Sequence, residues 1–109
     1  MNIVHFDVTG PDEGALHRFY AGVLDWRVEP QGPGYALVRT PAGSPDGAVV
    51  EDDAASLTLG VAVDDLDAAV ARVTEHGGEV LMPPTDNGWV TKALVVDPAG
   101  NRLALIAQG

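Results

Sequence analysis

Apolar residues recur at Leu66, Ala69, Val70 and Val73, the i, i+3, i+4, i+7 spacing of a helix that buries one face. Asp65 stands before the run as an N-cap, and Gly77 and Gly78 stand after it as a left-handed stop, so the pattern predicts a helix over Asp65 to His76. A strand over Ser56 to Val63 precedes it and another over Glu79 to Met82 follows. Pro83 to Gly88 reads as a turn, Trp89 to Val96 as a longer strand, Asp97 to Gly100 as a tight turn and Arg102 to Ala107 as the last strand.

The same succession of signals occupies the first half. Asn2 to Val8 alternates, with Ile3, His5 and Asp7 on one face and Val4, Phe6 and Val8 on the other. Pro11, Asp12 and Glu13 open a helix where its dipole favours negative charge, and Ala15, Leu16, Phe19, Tyr20 and Val23 form the expected buried stripe. Gly22 falls near the end of this helix, and Leu24 to Val28, carrying Trp26, starts a second strand. A turn over Gln31 to Gly34, a strand over Tyr35 to Thr40, a turn over Pro41 to Gly47 and a short strand over Ala48 to Glu51 complete the half.

The two halves align at an offset of fifty-three. Asp12 answers Asp65, Ala15 answers Ala68, Pro30 answers Pro83, Pro45 answers Pro98, Gly47 answers Gly100, Arg39 answers Lys92 and Glu51 answers Ala104. Matching turn chemistry and order of elements, rather than identities, carry this repeat. The expectation is one α+β domain built from two βαβββ modules in tandem, residues 1–53 and 54–109.

Composition narrows the chemistry. The chain has no cysteine, which removes disulfides, thiolate metal sites and cysteine nucleophiles together. Sixteen acidic residues against six basic ones give a net charge of −10, which repels nucleic acid and anionic membranes and suits a cationic or neutral small molecule. No apolar run reaches the length of a membrane span and the first ten residues lack the pattern of a signal peptide, so the expected address is the cytoplasm. No Ser-His-Asp order, phosphate loop or dinucleotide fingerprint is present.

The HFDV opening of the first module, the Phe19–Tyr20 pair, VDDLDAAV at Val63 to Val70 and DPAGNRLALI at Asp97 to Ile106 resemble the vicinal oxygen chelate superfamily. That group includes glyoxalase I, extradiol dioxygenases and bleomycin resistance proteins, and the bacterial glyoxalase-like subgroup is the part most similar. The resemblance implies a curved mixed sheet enclosing a cleft, with helices outside and ligand or metal on the concave face. It also implies a homodimer. Metal-using members of the superfamily take a His from the first strand and a Glu from the last strand of the modules. Mapped here, the first module offers His5 and Glu51, and the second offers Thr58 and Ala104, which are not strong ligands.

Two function classes stay open. One is a protein similar to the bleomycin resistance proteins, binding a small cationic or planar organic molecule with neither metal nor cofactor. The other is a metal-dependent lyase, isomerase or dioxygenase, or a metal-free acid–base enzyme, using His5 and Glu51. Alternation places His5 and Asp7 on a polar face, with Phe6 and Val8 under the helix. Together with the offset of fifty-three, this gives an expected ligand site of His5, Asp7, Glu51, Thr58 and Trp89, acidic on one wall and aromatic on the other.

Overall fold

The computed structural model describes residues 1–108. Its elements follow the order β1 (Ile3–Gly10), α1 (Glu13–Leu24), β2 (Arg27–Gly32), β3 (Tyr35–Arg39), β4 (Asp46–Glu51), β5 (Ser56–Val63), α2 (Leu66–Glu75), β6 (Glu79–Asp86), β7 (Thr91–Val96) and β8 (Arg102–Ala107). The chain is α+β, written as two successive βαβββ modules. It forms two compact units: one spans His5–Leu57, and the other gathers Met1–Val4 with the chain from Thr58 onward.

In the N-terminal unit the strand order is β2-β3-β4-β1, mixed because β1 and β4 run parallel while the two β3 pairings are antiparallel. A parallel neighbour needs a crossover, and α1 with the β2–β3 hairpin supplies it. Asp12 starts α1 by accepting the Ala15 N–H at 3.0 Å. Asp25, in the left-handed region at φ 62°, ends it, one residue class beyond the glycines that normally fill this place. The buried stripe of α1 is narrower than the sequence predicts. Leu16 and Tyr20 pack with Phe6, Trp26 and Val28 over Ala36, Val38 and Val49, whereas Ala15, Phe19 and Val23 remain exposed. Trp26, which lies before β2 rather than in it, stacks on Tyr20 at 5.9 Å and meets Phe6 at 5.7 Å, while Phe19 touches only the edge of this group through Tyr20 at 5.2 Å. Gly47 makes room for this cluster, since a Cβ there would lie 2.5 Å from the Phe6 ring.

The C-terminal unit repeats the plan with the order β5-β8-β7-β6 and parallel pairing of β5 with β8. Asp65 caps α2 through the Ala68 N–H at 3.0 Å, and Gly77, at φ 88°, follows its last residues. Val63, Leu66, Ala93, Val95 and Leu105 form the core beneath α2, joined by Val61, Val70, Val73 and Leu103. The strand expected to stop at Met82 continues to Asp86 through Pro83 and Pro84, tolerated because β6 is the last strand of this order and its register to β7 is broken there by bulges.

The offset of fifty-three holds only for the first part of each module. It relates β1 to β5 and Asp12 to Asp65, but the β6–β7 hairpin is longer than the β2–β3 hairpin, and the later strands are displaced. β4 and β8 correspond at an offset of fifty-six, as their pairings show: His5 lies beside Asp46, and Thr58 beside Arg102. The turn glycine that answers Gly100 (φ 98°) is Gly43 (φ 94°), within a Pro-Ala-Gly run that both turns share, and not Gly47. Asp46 therefore answers Arg102, Ala48 answers Ala104 and Tyr35 answers Lys92, which corrects the pairings of Glu51 with Ala104 and Arg39 with Lys92.

Candidate functional site

Registered strand neighbours point to the same side of a sheet, so the pairings sort every residue onto the helix side or the open side. In the N-terminal unit the open side carries His5, Asp7 and Thr9 on β1, Asp46, Ala48 and Val50 on β4, Tyr35, Leu37 and Arg39 on β3, and Arg27 and Glu29 on β2. His5 Nε2 lies 3.0 Å from Asp7 Oδ1, with the two side chains 34% and 25% exposed. Phe6, between them, is the residue that packs beneath α1, as its place in the alternation requires.

Beside this pair runs a chain of charges that sequence reasoning missed. Arg27 contacts Glu29 at 3.2 Å, Glu29 contacts Arg39 at 2.9 Å, and Arg39 reaches Asp46 at 3.4 Å. The backbone N–H of Thr40, donating to Asp46 at 2.9 Å, is the main cause holding the Asp46 carboxyl below its usual range, with Arg39 and the Thr40 hydroxyl adding to it. The bond that Arg39 donates to Glu29 is the main reason the Arg39 guanidinium is held still more firmly protonated. The available signal was the alternation of β4 itself, which begins at Asp46, two residues before the expected Ala48.

Glu51 follows Val49 by two residues and so lies on the helix side at the exposed end of β4, across the sheet from His5 and Asp7. The fifty-three register brought it to the face of His5; the actual register does not. Trp89 is in the β6–β7 connection, not on a strand, and is 87% exposed. Asn87 builds that turn by accepting the N–H groups of Trp89 at 3.0 Å and Val90 at 2.9 Å. Thr58 is buried on the open side of the C-terminal unit, which it shares with Gly60, Ala62, Arg102, Ala104, Ile106, Lys92 and Leu94. His5 and Asp7 are thus together, Glu51 is on the other side of their sheet, and Thr58 and Trp89 belong to the other unit.

A metal of the kind the superfamily resemblance implies does not fit these residues. With the register corrected, the two carboxylate positions are Ala48 and Ala104, both buried, and the second imidazole position is Thr58. Only His5 retains a donor of the expected type. Among the described residues no three His, Cys, Asp or Glu side chains gather into a group that could hold a metal ion.

Comparison with known proteins agrees with this fold. The family model described as a glyoxalase-like domain matches residues 3–106. Anthracycline biosynthesis protein DnrV of Streptomyces peucetius is 32% identical over 126 residues, covering 95% of this chain and 46% of that protein. The chain spans about half the length of the curated relatives it matches. Among solved structures, a glyoxalase/bleomycin resistance protein/dioxygenase superfamily member from Vibrio splendidus superposes with a TM-score of 0.76 at 15% identity, covering 98% of both chains. An extradiol ring-cleaving dioxygenase from B. fuscum gives 0.77 at 18% identity, over 99% of this chain and 32% of that one.

Proposed function

The chain belongs to the glyoxalase-like domain family, and on that premise we propose that it binds a small, flat organic molecule without a metal ion. The observation that carries this reading is the pair of buried alanines, Ala48 and Ala104, at the positions where metal-using relatives need carboxylates. Neither methyl group can donate to a metal; His5 and Asp7 offer a polar contact in one unit and Thr58 a hydroxyl in the other. The exposed Trp89 indole, held on an Asx-type turn, suits stacking on a flat or cationic ring. The name of the 32% identical relative, which refers to anthracycline biosynthesis, supports a fused-ring compound as the first ligand class to try.

A second reading, proton transfer without metal, is favoured by the His5–Asp7 bond, which leaves imidazole Nδ1 free of that partner. By the same proposal the protein works in the cytoplasm as a homodimer. Apolar side chains such as Phe19 and Val23 in one unit and Leu59 in the other are available for a second copy to cover.

The test is a titration of chelator-treated protein with an anthracycline, followed by quenching of ligand fluorescence. Saturable binding at one site per chain, with a Tm that rises with ligand and is unchanged by chelator, is the expected result. Binding that appears only after a divalent metal is added, or one equivalent of zinc, nickel or iron with a chelator-sensitive Tm, would overturn it.

A further inference from the structure

The C-terminal unit carries a small depression on its open face, about 20 Å³ in volume, lined by Thr58, Leu81, Leu94, Val95 and Arg102. That volume admits one or two water-sized groups, not a ring. Thr58 is the buried polar residue of the described core. Its hydroxyl is absent from the side-chain hydrogen bonds and is not sealed off as a buried unpaired atom, so it opens into the depression it lines. Arg102 sits directly beside it in register, one strand over.

One cation on this face has no carboxylate bonded to it, although Glu79 shares its row two strands away, beyond Val96. Arg27 and Arg39 are consumed by Glu29 and Asp46, whereas Arg102 makes no ion pair among the described residues. Registered neighbours of Arg102 on the open face are Thr58 and Val96, neither of which can neutralise a guanidinium. Lys92 shares the face but lies four residues along β7, roughly 13 Å away at strand spacing, and does not complete the depression. In the other unit the residue corresponding to Arg102 is Asp46, already bonded to Thr40 and Arg39, so this cationic arrangement exists once in the repeat.

We propose that this depression is an anion subsite: it takes the carboxylate or ionised enol oxygen of the ligand, with Arg102 as the charged donor, Thr58 as the second donor and Leu81 and Leu94 against the apolar body. A planar guanidinium supplies parallel N–H donors to a carboxylate, and a hydroxyl beside it fixes the direction of approach. The subsite rests on the proposed function for its apolar ligand, but the group it recognises is a separate claim. A ligand with an acid group on a fused-ring body fits both.

The probes are 2-naphthoate and its neutral amide, 2-naphthamide, titrated into the whole protein and followed by amide chemical shifts. The naphthoate binds at least tenfold more tightly than the amide, moves the resonances of Thr58 and Arg102 most, and weakens as salt is raised. Arg102→Gln, an exposed substitution, removes that preference while leaving Tm unchanged. Thr58→Val reduces the preference severalfold, and Lys92→Gln leaves it intact. Equal binding of the two probes, or a preference that survives in Arg102→Gln, overturns the anion subsite while leaving small-molecule binding standing. Failure of both probes to bind overturns the subsite as well, and anthracycline binding measured alongside then decides separately whether the proposed function holds.

Discussion

Asp97 shows how one side chain shapes a turn. Its carboxylate accepts the Asn101 side-chain N–H at 2.9 Å and the backbone N–H groups of Ala99 and Asn101 at the same distance. The Asn101 side chain is the largest cause, followed by the backbone donors, of a carboxyl held below its ordinary range. A depressed folded pKa means stability that is present above the unfolded value, near 3.9, and is lost as pH falls through the lower folded value. Asp97→Asn keeps one acceptor oxygen and loses the charge. Its Tm should therefore lie below that of the parent at pH 7, and the gap should close as pH drops below about 4. Thermal melts across pH check this, and a gap that stays constant would mean that charge is not what the turn uses. Asp46 titrates in the same direction, from the bond to Thr40.

At the scale of elements, the helix side of the N-terminal sheet depends on Gly47 being small. The Phe6 ring occupies the place of a side chain at that position, and Trp26 and Tyr20 stack behind it. Adding one methyl forces the ring, which also meets Trp26, to shift. Gly47→Ala should destabilise the protein by about 1–3 kcal/mol, the usual cost of overpacking, in a urea titration. The same substitution at Gly22, where nothing lies within 4 Å of the added carbon, should be neutral or slightly stabilising in its helix. If both variants unfold alike, the Phe6 contact is not what makes Gly47 small.

For the whole molecule the proposed pairing is open to direct measurement. No helix among the described residues is long and apolar enough to cross a membrane, so the exposed apolar side chains are not those of a helical span. Covering them with a second copy predicts a sedimenting species of twice the chain mass at micromolar concentration. With a charge of −10 on each chain, added salt should strengthen the pairing by screening repulsion. A species of single-chain mass at every salt concentration would refute the dimer.

Local chemistry alone determined much of this protein. Asp65 as an N-cap, strand β5 over Ser56–Val63 and strand β8 over Arg102–Ala107 were legible because caps, turns and alternation act within a few residues. The polar face of His5 and Asp7 was legible for the same reason. The register between β1 and β4 was not, since it depends on how many residues each hairpin and turn absorbs, and those lengths differ between the modules. That difference exchanged Glu51 for Ala48 at the position facing Asp7 and brought Asp46 to His5. It likewise set Arg102 against Thr58. A strand's sequence fixes which residues share a face, but only the paired sheet decides which faces, and which charges, stand side by side.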